Sequence, residues 1–275
     1  MSRRLPALLL AMMACIQPLA LGSTARAIDP SATDARAILQ AAFDAQVRAQ
    51  SVSRMKMTIR DRTGTRERLM VARTKRFGDA RKTVILIEQP AEVRNTGFLS
   101  IDYRASGRAD EQWLYLPKLH RVTRVPSSGK ADAFVGSDFS ISDLSAKDAD
   151  GYEVKLLEAS VTVGDDTCWL IEATPRTPAL REETGYERTQ IWVSKSKQLP
   201  VQLKAWLLGG KKAKYFKASD IRNDGATFTA HRIQMRTLEG NDLLSETVLE
   251  VLSVDNEARD LKDSDFTQQR LEQGI

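Results

Sequence analysis

The chain of 275 residues carries 41 Lys and Arg against 36 Asp and Glu, a net charge of +5. Residues 1–27 hold Arg3, Arg4 and Arg26 and no acid, so the other 248 residues carry 38 basic and 36 acidic groups, a net of +2. That near-balance excludes the broad basic footprint of a nucleic-acid binder. Past residue 27 only Cys168 remains, which excludes an intramolecular disulfide and a cysteine-based zinc site.

The first residues read as an export leader. Arg3 and Arg4 precede an apolar run over residues 5–14, and the segment closes on Ala25-Arg26-Ala27, the small-x-small pattern of a cleavage site. The run is too short for a permanent anchor, so the expectation is a soluble periplasmic product beginning at Ile28. A rival reading makes Cys15, after Met12-Met13-Ala14, a lipidated cysteine.

Asp34 or Thr33 can cap a helix over residues 33–50, in which Ala35, Ile38, Leu39, Ala42, Phe43 and Val47 recur at three and four residues. One face of it is apolar and must lie on something. From Val52 the period becomes two: Met55, Met57 and Ile59 alternate with Lys56, Thr58 and Arg60, the pattern of a half-buried strand. Further β-rich runs cover 66–77, 82–89, 97–104, 111–116 and 120–125, then 152–163, 167–174, 186–194, 200–207, 213–221, 227–237 and 244–254. Cys168 falls in one of them beside Trp169, Leu170 and Ile171, which predicts a buried thiol.

Between the runs stand hairpin residues: Gly78-Asp79, Gly164-Asp165-Asp166, Gly209-Gly210 and Gly240-Asn241-Asp242 among them. Strands joined so tightly are antiparallel neighbours. The sequence therefore describes one strongly curved meander of about ten to twelve strands. Runs such as 84–87 and 113–116 are apolar on both faces and need cover beyond their own core. The N-terminal helix and the segment 126–151 are the available cover, which predicts a curved sheet with helices laid into its concave side. Within 126–151, Phe134 and Phe139 flank Gly136-Ser137-Asp138; the segment is either a functional lid or a surface crossover pinned by its rings.

Chemistry is hard to find. His120 and His231 both lie in strand-like runs, and no Gly-x-Ser-x-Gly turn is present. Asp132, Asp138 and Asp143 match no ligand loop, and turn or capping roles suit them better. No metal site, no cofactor and no catalytic residue is expected. Lys118, His120, Arg121 and Arg124 cluster around Pro117, and four lysines follow Gly209-Gly210. Such patches guard a strand edge or meet anionic headgroups or an acidic partner; Lys118, Arg121 and Arg124 are the candidates for that contact.

The segment Gln112-Trp113-Leu114-Tyr115-Leu116-Pro117-Lys118-Leu119-His120-Arg121-Val122, followed by Phe134-Val135-Gly136-Ser137-Asp138-Phe139 and Asp143-Leu144, resembles the outer-membrane lipoprotein-sorting protein family, a branch of the LolA/LolB-like periplasmic carriers. Ile191-Trp192-Val193 through Leu199-Pro200 is similar too. The resemblance implies an incomplete, half-open β-barrel whose apolar concave face, covered by helices, holds acyl chains of lipids or lipoproteins. It also implies an alternative, a non-catalytic docking partner of an inner-membrane exporter of the resistance-nodulation-division (RND) type.

The expectations are therefore a signal peptide over 1–27 and a single LolA-like domain over 28–275. That domain would be a monomeric periplasmic lipid carrier serving outer membrane biogenesis, not an enzyme, and would bind no nucleic acid. Its expected cavity and lid residues are Phe43, Met55, Met57, Ile59, Trp113, Tyr115, Phe134 and Phe139. For the Met55, Met57 and Ile59 face, an open groove and a closed core remain alternatives.

Overall fold

The computed structural model describes residues 28–46, 49–103, 108–145, 148–223 and 228–274. The expected leader, with Cys15, lies outside the described residues.

Helix α1, Ala35–Ala45, begins where Asp34 in extended backbone accepts hydrogen bonds from the Arg36 and Ala37 amides at 3.0 and 3.1 Å. It ends five residues short of the expected Gln50, because Gln50 already pairs with Lys75 in the sheet. Pairing overrides a weak helical preference there.

The strands are β1 Gln50–Asp61, β2 Gly64–Phe77, β3 Ala80–Gln89, β4 Gly97–Tyr103, β5 Glu111–Leu116, β6 Arg121–Arg124, β7 Tyr152–Val163, β8 Asp166–Pro175, β9 Tyr186–Ser194, β10 Pro200–Leu207, β11 Lys212–Asn223, β12 Phe228–Glu239 and β13 Asp242–Asp255. They form one antiparallel sheet of thirteen strands, one more than the upper expectation, in the order β6-β5-β4-β3-β2-β1-β13-β12-β11-β10-β9-β8-β7. The chain walks by hairpins from β1 out to one edge at β6. It crosses through residues 125–151 to the other edge at β7 and walks back until β13 pairs with β1. The curved sheet stays open between β6 and β7, and the crossover is the chain's own bridge between those edges.

Directly paired residues share a face, so the register defines the concave side. Ile59, Thr247, Met235, Phe216, Leu203, Ile191, Ile171 and Leu156 stand side by side across eight strands. Only Thr247 in that row is polar, and the crossover uses it. The Asp138 carboxylate accepts from the Thr247 hydroxyl at 2.7 Å, from Thr237 at 2.5 Å and from Ser245, and the Asp138 amide donates to Thr247 at 2.9 Å. Asp138 is thereby buried and pins the crossover to β12 and β13.

Helix α1 lies on the β7–β9 side of the same face. Ile38, Leu39 and Ala42 pack against Trp169, Ile171, Ile191 and Val193. The Trp169 indole donates to Ala32 O at 2.9 Å, and Arg36 donates to Ala149 O and Tyr152 O at 2.7 and 2.8 Å, tying the helix to the end of the crossover. Cys168 is fully buried beside Leu199 and Val201.

Cover for the doubly apolar strands comes partly from an unexpected quarter. Val84, Leu86, Leu99, Trp113 and Tyr115 face the convex side, where Leu261, Phe266 and Leu271 of the C-terminal segment pack on them. That segment ends in helix α3, Gln268–Gln273. Gly97 is required beneath it: a Cβ there would lie 2.6 Å from Leu271 Cδ1. Helix α2, Pro178–Thr184, links β8 to β9, with Thr177 as cap, Pro178 in the first turn and Gly185 (φ +73°) as stop.

Candidate functional site

Under the crossover the concave face is hollow. A cavity of about 420 Å³ is walled by Leu39 and Phe43 of α1, by Phe134, Phe139, Asp143 and Leu144 of the crossover, and by side chains from ten strands. The strand contribution runs from Met55 and Met57 on β1, Met70 on β2 and Ile85 on β3 to Tyr152 on β7, Ile191 on β9, Leu203 on β10, Phe216 on β11, Met235 on β12 and Leu249 on β13. Larger hollows of about 680, 580 and 520 Å³ are surface clefts walled largely by charged side chains, such as Asp34, Arg36, Asp102 and Asp150 in the first. The smaller cavity is the apolar one.

Four methionines in its wall, Met55, Met57, Met70 and Met235, matter physically. Methionine is unbranched and polarizable, and adapts to ligands of varied shape. Phe134 is held in place by an edge-to-face contact with Phe98, ring centroids 5.7 Å apart, so the crossover contributes a seated ring to the wall.

One end of the wall is polar. The Tyr186 hydroxyl donates to Asp143 at 2.9 Å, the Ser140 amide donates to the same carboxylate at 2.8 Å, and Lys214 Nζ stands 3.7 Å from it. Burial, beside the negative Asp143, pushes the Tyr186 phenol well above its ordinary range. Burial and then the Glu183 and Asp143 charges push Tyr152 up to about 12. Both phenols are therefore neutral hydrogen-bonding groups at physiological pH, facing an otherwise oily space.

A family model described as "-like: Uncharacterized protein" matches residues 79–273. The chain belongs to that family. No curated protein matches it. Among solved structures, the chain is similar to a domain from Vibrio parahaemolyticus described as an outer membrane lipoprotein-sorting protein, with a TM-score of 0.75 and 24% identity over 86% of this chain and 97% of that one. A DUF1329 family protein from Desulfovibrio piger gives a TM-score of 0.77 at 24% identity, covering 87% of this chain and 100% of that one. A LolA superfamily protein from Nitrosomonas europaea gives 0.64 at 18% identity, covering 87% and 99%. The chain thus has the LolA-like fold, as the tryptophan strand and the Gly-Ser-Asp-Phe segment implied.

Of the residues singled out from sequence, Phe43, Met55, Met57, Phe134 and Phe139 meet in the cavity wall. Ile59 is buried in the same cluster without lining the hollow. Trp113 and Tyr115 are placed elsewhere, on the convex face beneath the C-terminal segment, and the side chain between them, Leu114, packs toward the concave cluster. Lys118, Arg121 and Arg124 are exposed at the β5–β6 hairpin, away from the cavity wall. Sequence reading missed the wall residues of β9 to β13, including Leu203, Phe216, Ile233 and Leu249. Their alternation was visible, but choosing the inward phase requires the cross-strand register. No group of His, Cys, Asp or Glu suited to a metal ion occurs among the described residues, and no helix among them is long and apolar enough to cross a membrane.

Proposed function

We propose that this protein is a periplasmic carrier that shields a lipid or lipoprotein acyl chain in the cavity under the crossover, for passage toward the outer membrane. Residues 1–27 are cleaved on export, and residues 28–275 form the single carrier domain. The observation that carries the reading is the apolar hollow built jointly by ten strands, α1 and the crossover.

Its size argues for one chain at a time. A methylene occupies about the space of a water molecule, roughly 30 Å³, so 420 Å³ admits on the order of fourteen carbons. At about 0.8 kcal/mol per methylene, burying such a chain is worth on the order of ten kcal/mol against exposure to water. That is enough to hold a lipid through an aqueous compartment, and carriage needs no cofactor and no bond-making step. The neutral Tyr186 and Tyr152 hydroxyls at the polar end suit a ligand with a hydrogen-bonding group at one end of its chain.

Filling the cavity tests this. Ala173 is buried and lines the hollow, so Ala173→Trp is expected to occupy the ligand's space with little change in melting temperature while abolishing binding of a fluorescent fatty acid. In a solid core the same substitution overpacks and costs about 1–3 kcal/mol. A destabilised variant that binds the probe as tightly as the parent contradicts the proposal.

A further inference from the structure

Alternate turns of an antiparallel meander fall at one end of the sheet, so the turns after β1, β3, β5, β10 and β12 share an end. Seven large apolar side chains are exposed among the described residues, and four of them sit in or beside these turns: Leu116 and Leu119 at β5–β6, Leu208 at β10–β11 and Leu243 at β12–β13. Leu119 is 67% exposed and sits in the turn that His120 closes in left-handed backbone (φ 45°). Scattered exposed leucines need no explanation, but their gathering at one end does.

The charge around Leu119 is one-sided. No acid occurs between Glu111 and Asp132, while Lys118, Arg121, Arg124 and Lys130 do. Lys118 and Arg121 are exposed, and neither side chain makes a hydrogen bond or an ion pair among the described residues. A solvated strand edge accounts for the cations alone. It does not account for a protruding leucine held between them. Apolar tips set in unpaired cations match a bilayer surface, where leucine enters the headgroup boundary and lysine and arginine meet anionic lipid.

We propose that this end of the sheet is a membrane-docking rim that touches an anionic phospholipid surface, with the β5–β6 turn as its leading element. Leu243 adds apolar contact, but Glu239 and Asp242 flank it, so the attraction to anionic lipid comes from β5–β6 and from β10–β11, where exposed Lys211 and Lys212 follow Leu208. The Asp138 pin, on Thr237 near the end of β12 and Ser245 near the start of β13, lies toward the same end. Docking would therefore bring the fastening of the crossover close to the membrane. That consequence rests on the carrier reading; the docking itself does not.

The test is co-sedimentation of the protein, produced from the full-length sequence, with vesicles of phosphatidylcholine alone and with a quarter phosphatidylglycerol. The parent should bind the anionic vesicles several-fold more tightly, and added salt should erase the difference. Lys118→Glu with Arg121→Glu should lower binding to anionic vesicles about tenfold or more and shrink the preference, at unchanged melting temperature. Leu119→Ser should lower binding to both vesicles about tenfold. Leu252→Ser, a comparably exposed leucine toward the other end of β13, should change nothing. A parent that binds neither vesicle, rim variants that bind like the parent, or an equal loss from Leu252→Ser overturns the proposal. Fatty-acid probe binding measured on the same samples reports on the cavity alone, so a failure of docking and a failure of carriage are told apart.

Discussion

Replacing Met57 by Lys separates a hollow wall from a filled core. Met57 is 2% exposed, lines the cavity, and stands between Leu249 on β13 and Arg68 on β2. A lysine there meets no carboxylate across the strands and gains a like charge. In a solid interior an unpaired ammonium costs several kcal/mol, and at roughly 2–4 °C per kcal/mol for a chain of this size the melting temperature would fall by ten degrees or more. The hollow changes that sum. A space of about 420 Å³ has room for on the order of fourteen waters, which can hydrate the charge. We expect the fold to survive with a loss of about 2 kcal/mol, near 5 °C by calorimetry. Affinity for a fluorescent fatty acid should fall about thirty-fold, the equivalent of two to three methylenes denied burial. Met57→Leu should preserve both properties. Collapse of Met57→Lys would show the wall to be solid core, and normal folding with parental probe affinity would remove Met57 from the ligand's path.

Other outcomes follow from the same geometry. Asp138→Ala removes the acceptor of three hydroxyls, so it should lower stability by about 3 kcal/mol in urea unfolding and speed probe release in stopped flow; lowered stability with unchanged release would mean the crossover is not the gate. Tyr152, with its pKa pushed up to about 12 against about 10 unfolded, should leave stability untouched below pH 9. Between pH 10 and 12 the unfolded chain deprotonates first, so stability should fall by up to about 3 kcal/mol, and Tyr152→Phe should flatten that slope; parallel slopes would refute the assignment. Burial pushes the Cys168 thiol up to about 11, so a thiol reagent at pH 8 should label it only on unfolding, and fast labelling of the native protein would contradict its place in the core.

Much of the architecture was legible because hairpin chemistry is local. Gly78-Asp79 and Gly240-Asn241-Asp242 announce reversals, and period-two runs on either side name the strands. The joining of β1 to β13 was not legible, since no turn connects them and only the common register of Met57 with Leu249 does so. The faces of β5 were misassigned for a physical reason. Trp113, Leu114 and Tyr115 are all apolar, so alternation could not say which points inward, and the smaller Leu114 is the one that does. The cover over Trp113 and Tyr115 comes from Leu261, Phe266 and Leu271, in a polar tail with no long periodic stretch to reveal it. Helix α2 could have been read, from Thr177-Pro178 as start and Gly185 as stop, but seven residues give too little periodicity to stand out. Phe134 and Phe139 drew notice as two rings around Gly136-Ser137-Asp138. Asp138 itself became meaningful only with its hydroxyl partners in view.

In a carrier, the hollow under the crossover is occupied in the cell. Native mass spectrometry of the protein recovered from its host, followed by organic extraction and lipid analysis, measures this directly. We expect a population heavier than the processed chain by one single-chain amphiphile, released on extraction and absent from Ala173→Trp. A chain that carries no lipid, and takes up none when offered fatty acids, would contradict the account.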